Sequence, residues 1–111
     1  MLYVDTSFWV ALTAAADARH RDASTLLREH ASASLVTSSL VRGETWTFLR
    51  RRYGHRVAVG FLDHIARSTR VRVEPVDPAT DARALSWLRE RGEREYSHVD
   101  ATSFVVIESQ T

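Results

Sequence analysis

No cysteine and no lysine occur anywhere in the 111 residues. Without cysteine the chain has no disulfide, no thiolate metal site and no thiol nucleophile. Without lysine it has neither the amine of Schiff-base chemistry nor the phosphate-binding lysine of P-loop enzymes. All fifteen cationic residues are therefore arginine, a bias that also fits a GC-rich coding origin. Long apolar runs are missing too, and none approaches the ~20 residues needed to span a bilayer. The N-terminus carries neither a basic region nor a small-residue cleavage site. These absences point to a cytoplasmic protein with no membrane partner.

What is present suits one soluble globular domain over residues 1–111, with 44% hydrophobic and 26% charged residues. The formal net charge of +1 exerts no strong global pull on nucleic acid or membrane. No repeat, linker or low-complexity tract divides the chain.

Strand and helix signals alternate along it. Leu2 to Val4 reads as a short buried strand, and Thr6 to Ala16 as a helix. Asp22 to Ala31 reads as a second helix with Leu26 and Leu27 facing inward. Ser34 to Ser38 is a second strand, followed by a helix from Ser39 to Arg52 that stops near Gly54. Val57, Phe61, Leu62 and Ile65 recur at helical spacing between His55 and Ser68. Val71 to Val76 alternates apolar and polar residues as a third strand does. Asp77-Pro78 opens a further helix that ends near Gly92, and Val99 to Ile107 forms the last. This order argues an α/β fold around a parallel sheet.

Three carboxylates stand out. Asp5 ends the first strand, at the rim where open parallel sheets bind ligands; it equally suits the cap of the helix that follows. Glu44 has Leu40 and Phe48 at minus and plus four, which sets it on an apolar stripe. A buried charge there needs a cation, and an arginine partner would serve as well as a metal. Asp100 has Phe104 and Ile107 at plus four and plus seven, again an inward face. Ser97 and Asp100 also fit a helix-capping pair. Together the three call for a hard divalent cation with oxygen ligands, Mg²⁺ or Mn²⁺.

The stretches YVDTSFWVAL, TSSLVRGETWTFLRRR and YSHVDATSF resemble the toxins of VapBC toxin–antitoxin modules, which are PIN-domain ribonucleases. The likeness covers nearly the whole chain. It implies a PIN-like three-layer sandwich, a short parallel sheet flanked by helices. It also implies that Asp5, Glu44 and Asp100 bind Mg²⁺ or Mn²⁺ and that Ser7 supplies the orienting hydroxyl beside the first acid. The implied reaction is attack by metal-activated water on an RNA phosphodiester. The implied partners are RNA, a cognate antitoxin and a second copy of the chain in a homodimer.

The family pattern continues past the Asp100 helix into a further strand and a fourth acid. Here no aspartate follows Asp100, and Glu108 lies close to it on the same helix. The expectation is accordingly a PIN-like fold lacking the family's last strand or strands. An alternative function goes with it, a catalytically impaired truncated relative that only binds antitoxin. A receiver-type phosphoryl-transfer domain is disfavoured, since Asp5 has no second aspartate beside it and no lysine exists to meet a phosphoryl group.

Arg42, Arg50, Arg51 and Arg52 form a basic cluster with Arg56 nearby. They are candidates for RNA phosphate contact, or equally a solvated helix end that complements the macrodipole. Trp9, Trp46 and Trp87 suit core or interface as well as base stacking. The five histidines show no metal-ligand spacing.

Overall fold

The structure is a computed structural model that describes residues 1–110. Its elements are β1 (Leu2–Tyr3), α1 (Thr6–Thr13), α2 (His20–Glu29), β2 (Leu35–Ser38), α3 (Ser39–Tyr53), α4 (His55–Arg67), β3 (Val71–Glu74), α5 (Pro78–Arg89) and α6 (His98–Ser109). The strands form one parallel sheet in the order β1-β2-β3, with Leu2 opposite Leu35 and Leu35 opposite Val71. Val4 extends the first pairing, its N–H donating to the Val36 carbonyl at 2.8 Å. Among the described residues no strand pairs with the other edge of β1. No helix is long and apolar enough to cross a membrane among them.

β2 is buried at every position, as expected of a central strand covered on both faces. Its two-residue period divides its side chains between those faces. Leu35 and Thr37 serve the side of α1, α3 and α4, where Val4, Trp9, Val41, Leu49 and Phe61 form the main core. Trp9 meets Phe61 edge-on at 5.8 Å, and its indole N–H donates to Thr37 Oγ1 at 3.2 Å. Thr37 passes the bond on to the Val4 carbonyl at 2.8 Å, so neither buried polar group is left without a partner. On the opposite side α6 packs on β2, and Tyr3 reaches Ser103 with a 2.9 Å hydrogen bond. A smaller cluster of Ala84, Ala101 and Val105 joins α5 to α6.

Local chemistry sets the helix ends. Ser38 caps α3, its buried hydroxyl accepting from the Val41 N–H at 3.1 Å. Asp77 caps α5, with Pro78 in the first turn where its missing N–H costs nothing. Gly54 separates α3 from α4 at φ 97°, a backbone region that side chains disfavour.

Three sequence expectations need correction here. Leu2 to Val4 is buried only at Val4, since Leu2 is 38% exposed. α1 ends at Thr13, not Ala16, because Ala14 leaves helical geometry and Asp17 takes over the backbone locally. The Asp17 carboxylate accepts from the Arg19 N–H at 2.8 Å, and its carbonyl accepts from the His20 N–H at 3.0 Å. Leu26 does not face inward but is 47% exposed. α2 is short, and Ala23 and Leu27, four residues apart, make its buried stripe.

Candidate active site

Asp5 lies two residues past the end of β1 and is the cap of α1 as well as a site residue. Its Oδ1 accepts from the Phe8 N–H at 3.1 Å and from the Ser7 hydroxyl at 3.0 Å. Glu44 projects from α3, where its Oε1 accepts from the Thr6 hydroxyl at 2.5 Å. Asp100 sits in the first turn of α6 as half of a capping box. Its Oδ2 accepts from the Ser97 N–H at 3.0 Å, while its own N–H donates to Ser97 Oγ at 3.0 Å. Asp5, Ser7, Glu44 and Asp100 all line one open cavity of about 800 Å³.

The three carboxylates share a further property. One oxygen of each is held by a neighbouring donor, and the other has no protein donor among the described residues. Hard oxygens of this kind suit Mg²⁺ or Mn²⁺ by chemistry. As they stand, though, no group of three His, Asp or Glu side chains among the described residues is set to hold a metal ion.

The inward burial expected of Glu44 and Asp100 is not observed. Both are exposed, and of the apolar neighbours that suggested burial only Leu40 is partly covered: Phe48 is 44% exposed, and Phe104 and Ile107 are each 38% exposed. An i, i+4 apolar neighbour marks the same helix face, but Glu44 and Phe48 together line a cleft, while Phe104 lies outside it against Trp87 and Tyr96. Glu108 lies outside the cavity, bridging to Arg83 of α5 at 3.2 Å.

The arginine cluster divides. Arg52 lines the acidic cavity, and Arg51 joins it in an adjoining one; Arg42 and Arg50 line neither. Helical geometry is the reason, since Arg50 is two residues from Phe48 and more than half a turn round the axis. Trp9 is core, Trp46 packs on His55, and Trp87 packs with Tyr96 and Phe104, so none opens onto the acidic cavity.

Polar residues of the cavity that escaped sequence reasoning include Thr6, the further carboxylate Asp17, Arg19, Tyr53 and Ser103. Thr6 had a legible signal, a second hydroxyl directly after Asp5. Arg19 had none, because only the turn after α1 brings it to the cleft.

A short parallel sheet with carboxylates gathered around one cleft beyond a strand end is the frame of a PIN domain, and residues 2–109 match that family. The chain belongs to the PIN-domain family and, within it, to the VapC type. Two curated proteins named 23S rRNA-specific endonuclease VapC20, from Mycobacterium tuberculosis strains CDC 1551 / Oshkosh and ATCC 25618 / H37Rv, are 51% identical to it over 107 residues. That alignment covers 96% of this chain and 80% of theirs. The crystal structure of M. tuberculosis VapC20, described as a sarcin-ricin loop cleaving toxin, superposes with a TM-score of 0.92. It is 48% identical and aligns with 99% of this chain and 83% of its own.

Proposed function

We propose that this protein is a ribonuclease toxin of a VapBC-type module that hydrolyses RNA phosphodiester bonds with Mg²⁺ or Mn²⁺. The observation that carries the reading is the opening of Asp5, Glu44 and Asp100, from three separate elements, onto one cavity. The target is ribosomal RNA at a loop of the sarcin-ricin kind, by similarity to the VapC20 proteins. A cognate antitoxin, a homodimer and a cytoplasmic setting belong to the same reading.

Asp5, Glu44 and Asp100 would hold the cation through their unpartnered oxygens. When bound, it lowers the pKa of a coordinated water and stabilises the charge that grows on the phosphate. Ser7 and the Phe8 N–H fix the Asp5 carboxylate, Thr6 fixes Glu44, and the Ser97 N–H fixes Asp100. Each acid thus keeps a defined orientation without spending both oxygens on the protein. Arg19 and Arg52 offer the phosphate backbone positive charge beside the acids.

The test is cleavage of a sarcin-ricin-type RNA hairpin by the purified chain. Cleavage should require Mg²⁺ or Mn²⁺, stop with EDTA and be lost in Asp5→Asn. Cleavage that survives EDTA would exclude the metal mechanism. The absence of a ready three-acid cluster among the described residues favours a second reading, antitoxin binding without catalysis. No cleavage under any metal condition, with antitoxin still bound, would establish that one instead.

A further inference from the structure

The acidic cavity does not end at Glu44. A second cavity, formed by α3, shares Glu44, Phe48, Arg52 and Tyr53 with it and adds Thr47 and Arg51. The two make one groove that leaves the acids along a single face of α3. Glu44, Phe48 and Arg52 follow one another at four-residue steps, about 6 Å of rise each. Val41, Thr45 and Leu49 on the other side of the helix are buried.

Phe48 is an anomaly in this setting. The chain buries Trp9 and Phe61 almost completely, yet leaves Phe48 44% exposed, with no ring partner among the described residues. The guanidinium groups beside it are also uncommitted. Arg51 and Arg52 have no carboxylate partner among the described residues, and Arg52 only lies over the Tyr53 ring at 6.0 Å. A solvated helix end accounts for charge there, but not for an exposed ring set between that charge and the acids.

We propose that this groove is a nucleotide subsite, in which an unpaired RNA base stacks on Phe48 while Arg51 and Arg52 hold the flanking phosphates. The assignment rests on the ribonuclease reading, because continuity with the acids is what selects a nucleic acid as occupant. A polyanion cannot rest against carboxylates alone, so a strand leaving the acids needs compensating charge at its next contact. The arginines supply it there. An aromatic face offers stacking that is indifferent to base identity, worth about 1–3 kcal/mol per base. The subsite would therefore hold a strand next to the scissile bond without choosing its sequence.

The experiment measures binding of a short fluorescein-labelled single-stranded RNA by anisotropy in EDTA, where metal-dependent cleavage cannot occur. Phe48→Ala should weaken binding about tenfold, and Phe48→Tyr should restore it. Arg51→Gln with Arg52→Gln should reduce the slope of log affinity against log salt by about 0.7 per arginine. Phe48 and both arginines are exposed, so melting temperatures of the variants should stay near that of the parent chain. Unchanged affinity and salt slope in every variant, with the parent chain still cleaving RNA, would overturn the subsite alone and leave the groove to a protein partner. Weakened binding in Phe48→Ala, in a chain that never cleaves, would support the subsite and count against the nuclease. A parent chain that binds no RNA would overturn both.

Discussion

The Thr6 hydroxyl donates to the Glu44 carboxylate at 2.5 Å, tying the first turn of α1 to α3 across the mouth of the cavity. The two residues are 38 positions apart, and the bond leaves Glu44 with one oxygen free. Asp5 and Glu44 are thereby held by two consecutive hydroxyls, Ser7 on the first and Thr6 on the second.

Thr6→Val removes that donor with little change of shape. If the bond orients Glu44 for a cation, Mn²⁺ affinity should fall roughly tenfold, as outer partners of metal ligands typically cost when removed. Thr6→Ser should recover most of the loss. Paramagnetic Mn²⁺ titration checks this without any turnover. Equal affinity in Thr6→Val and the parent chain would reduce the bond to a helix-helix tie.

Asp100 has two duties that substitution can separate. Asp100→Asn keeps an oxygen able to accept from the Ser97 N–H, so the α6 cap and the melting temperature should largely persist. The rise in melting temperature caused by Mg²⁺ or Mn²⁺ should disappear. Asp100→Ala should lose that metal response and also the reciprocal bond from the Ser97 N–H, at about 1 kcal/mol, while the Ser97 hydroxyl still caps the backbone. Thermal unfolding with and without the metal distinguishes the variants.

The bond from Trp9 Nε1 to Thr37 Oγ1 is wholly buried. Thr37→Val matches the volume but strands the indole N–H in the core. A buried donor without a partner costs about 1–3 kcal/mol. Denaturant unfolding should show a lower midpoint at an unchanged slope. A loss below about half a kcal/mol would mean that the Trp9 N–H finds another acceptor.

The Thr80 N–H, donating to the Asp77 carboxylate at 2.8 Å, holds the Asp77 pKa below the ordinary aspartate range. A depressed folded pKa means that the cap stabilises the fold above the unfolded value. That contribution is lost as pH falls through the folded value. Asp77→Asn should therefore lower the melting temperature near neutrality and converge with the parent chain at low pH, flattening part of the acid limb. Superimposable acid limbs for the two proteins would remove Asp77 from the acid response.

Much of the architecture was legible because it rests on local rules. The alternation of strands and helices, the Asp77-Pro78 start, the Ser97–Asp100 capping box and the break at Gly54 all depend on neighbours within a few residues. Their geometry follows from backbone donors and φ preferences that travel with the sequence. The boundary at Thr13 was less legible. Both a continuing helix and the Asp17 turn satisfied local preference there, and the packing of α1 against its neighbours accompanies the turn.

Residue type and order by themselves determined that three carboxylates, a hydroxyl beside the first and no thiol or amine would be the available chemistry. Only the tertiary structure decided what surrounds them. Helical periodicity marked the faces of Glu44 and Asp100 as apolar, but periodicity cannot tell a face that meets the core from one that lines a cleft. The same limit hid the bond from Thr6 to Glu44, 38 positions away, and the placement of Arg19, which only the turn after α1 brings to the cleft. It also hid the division of the arginines, since four cations close in sequence point in different directions once α3 winds them round its axis.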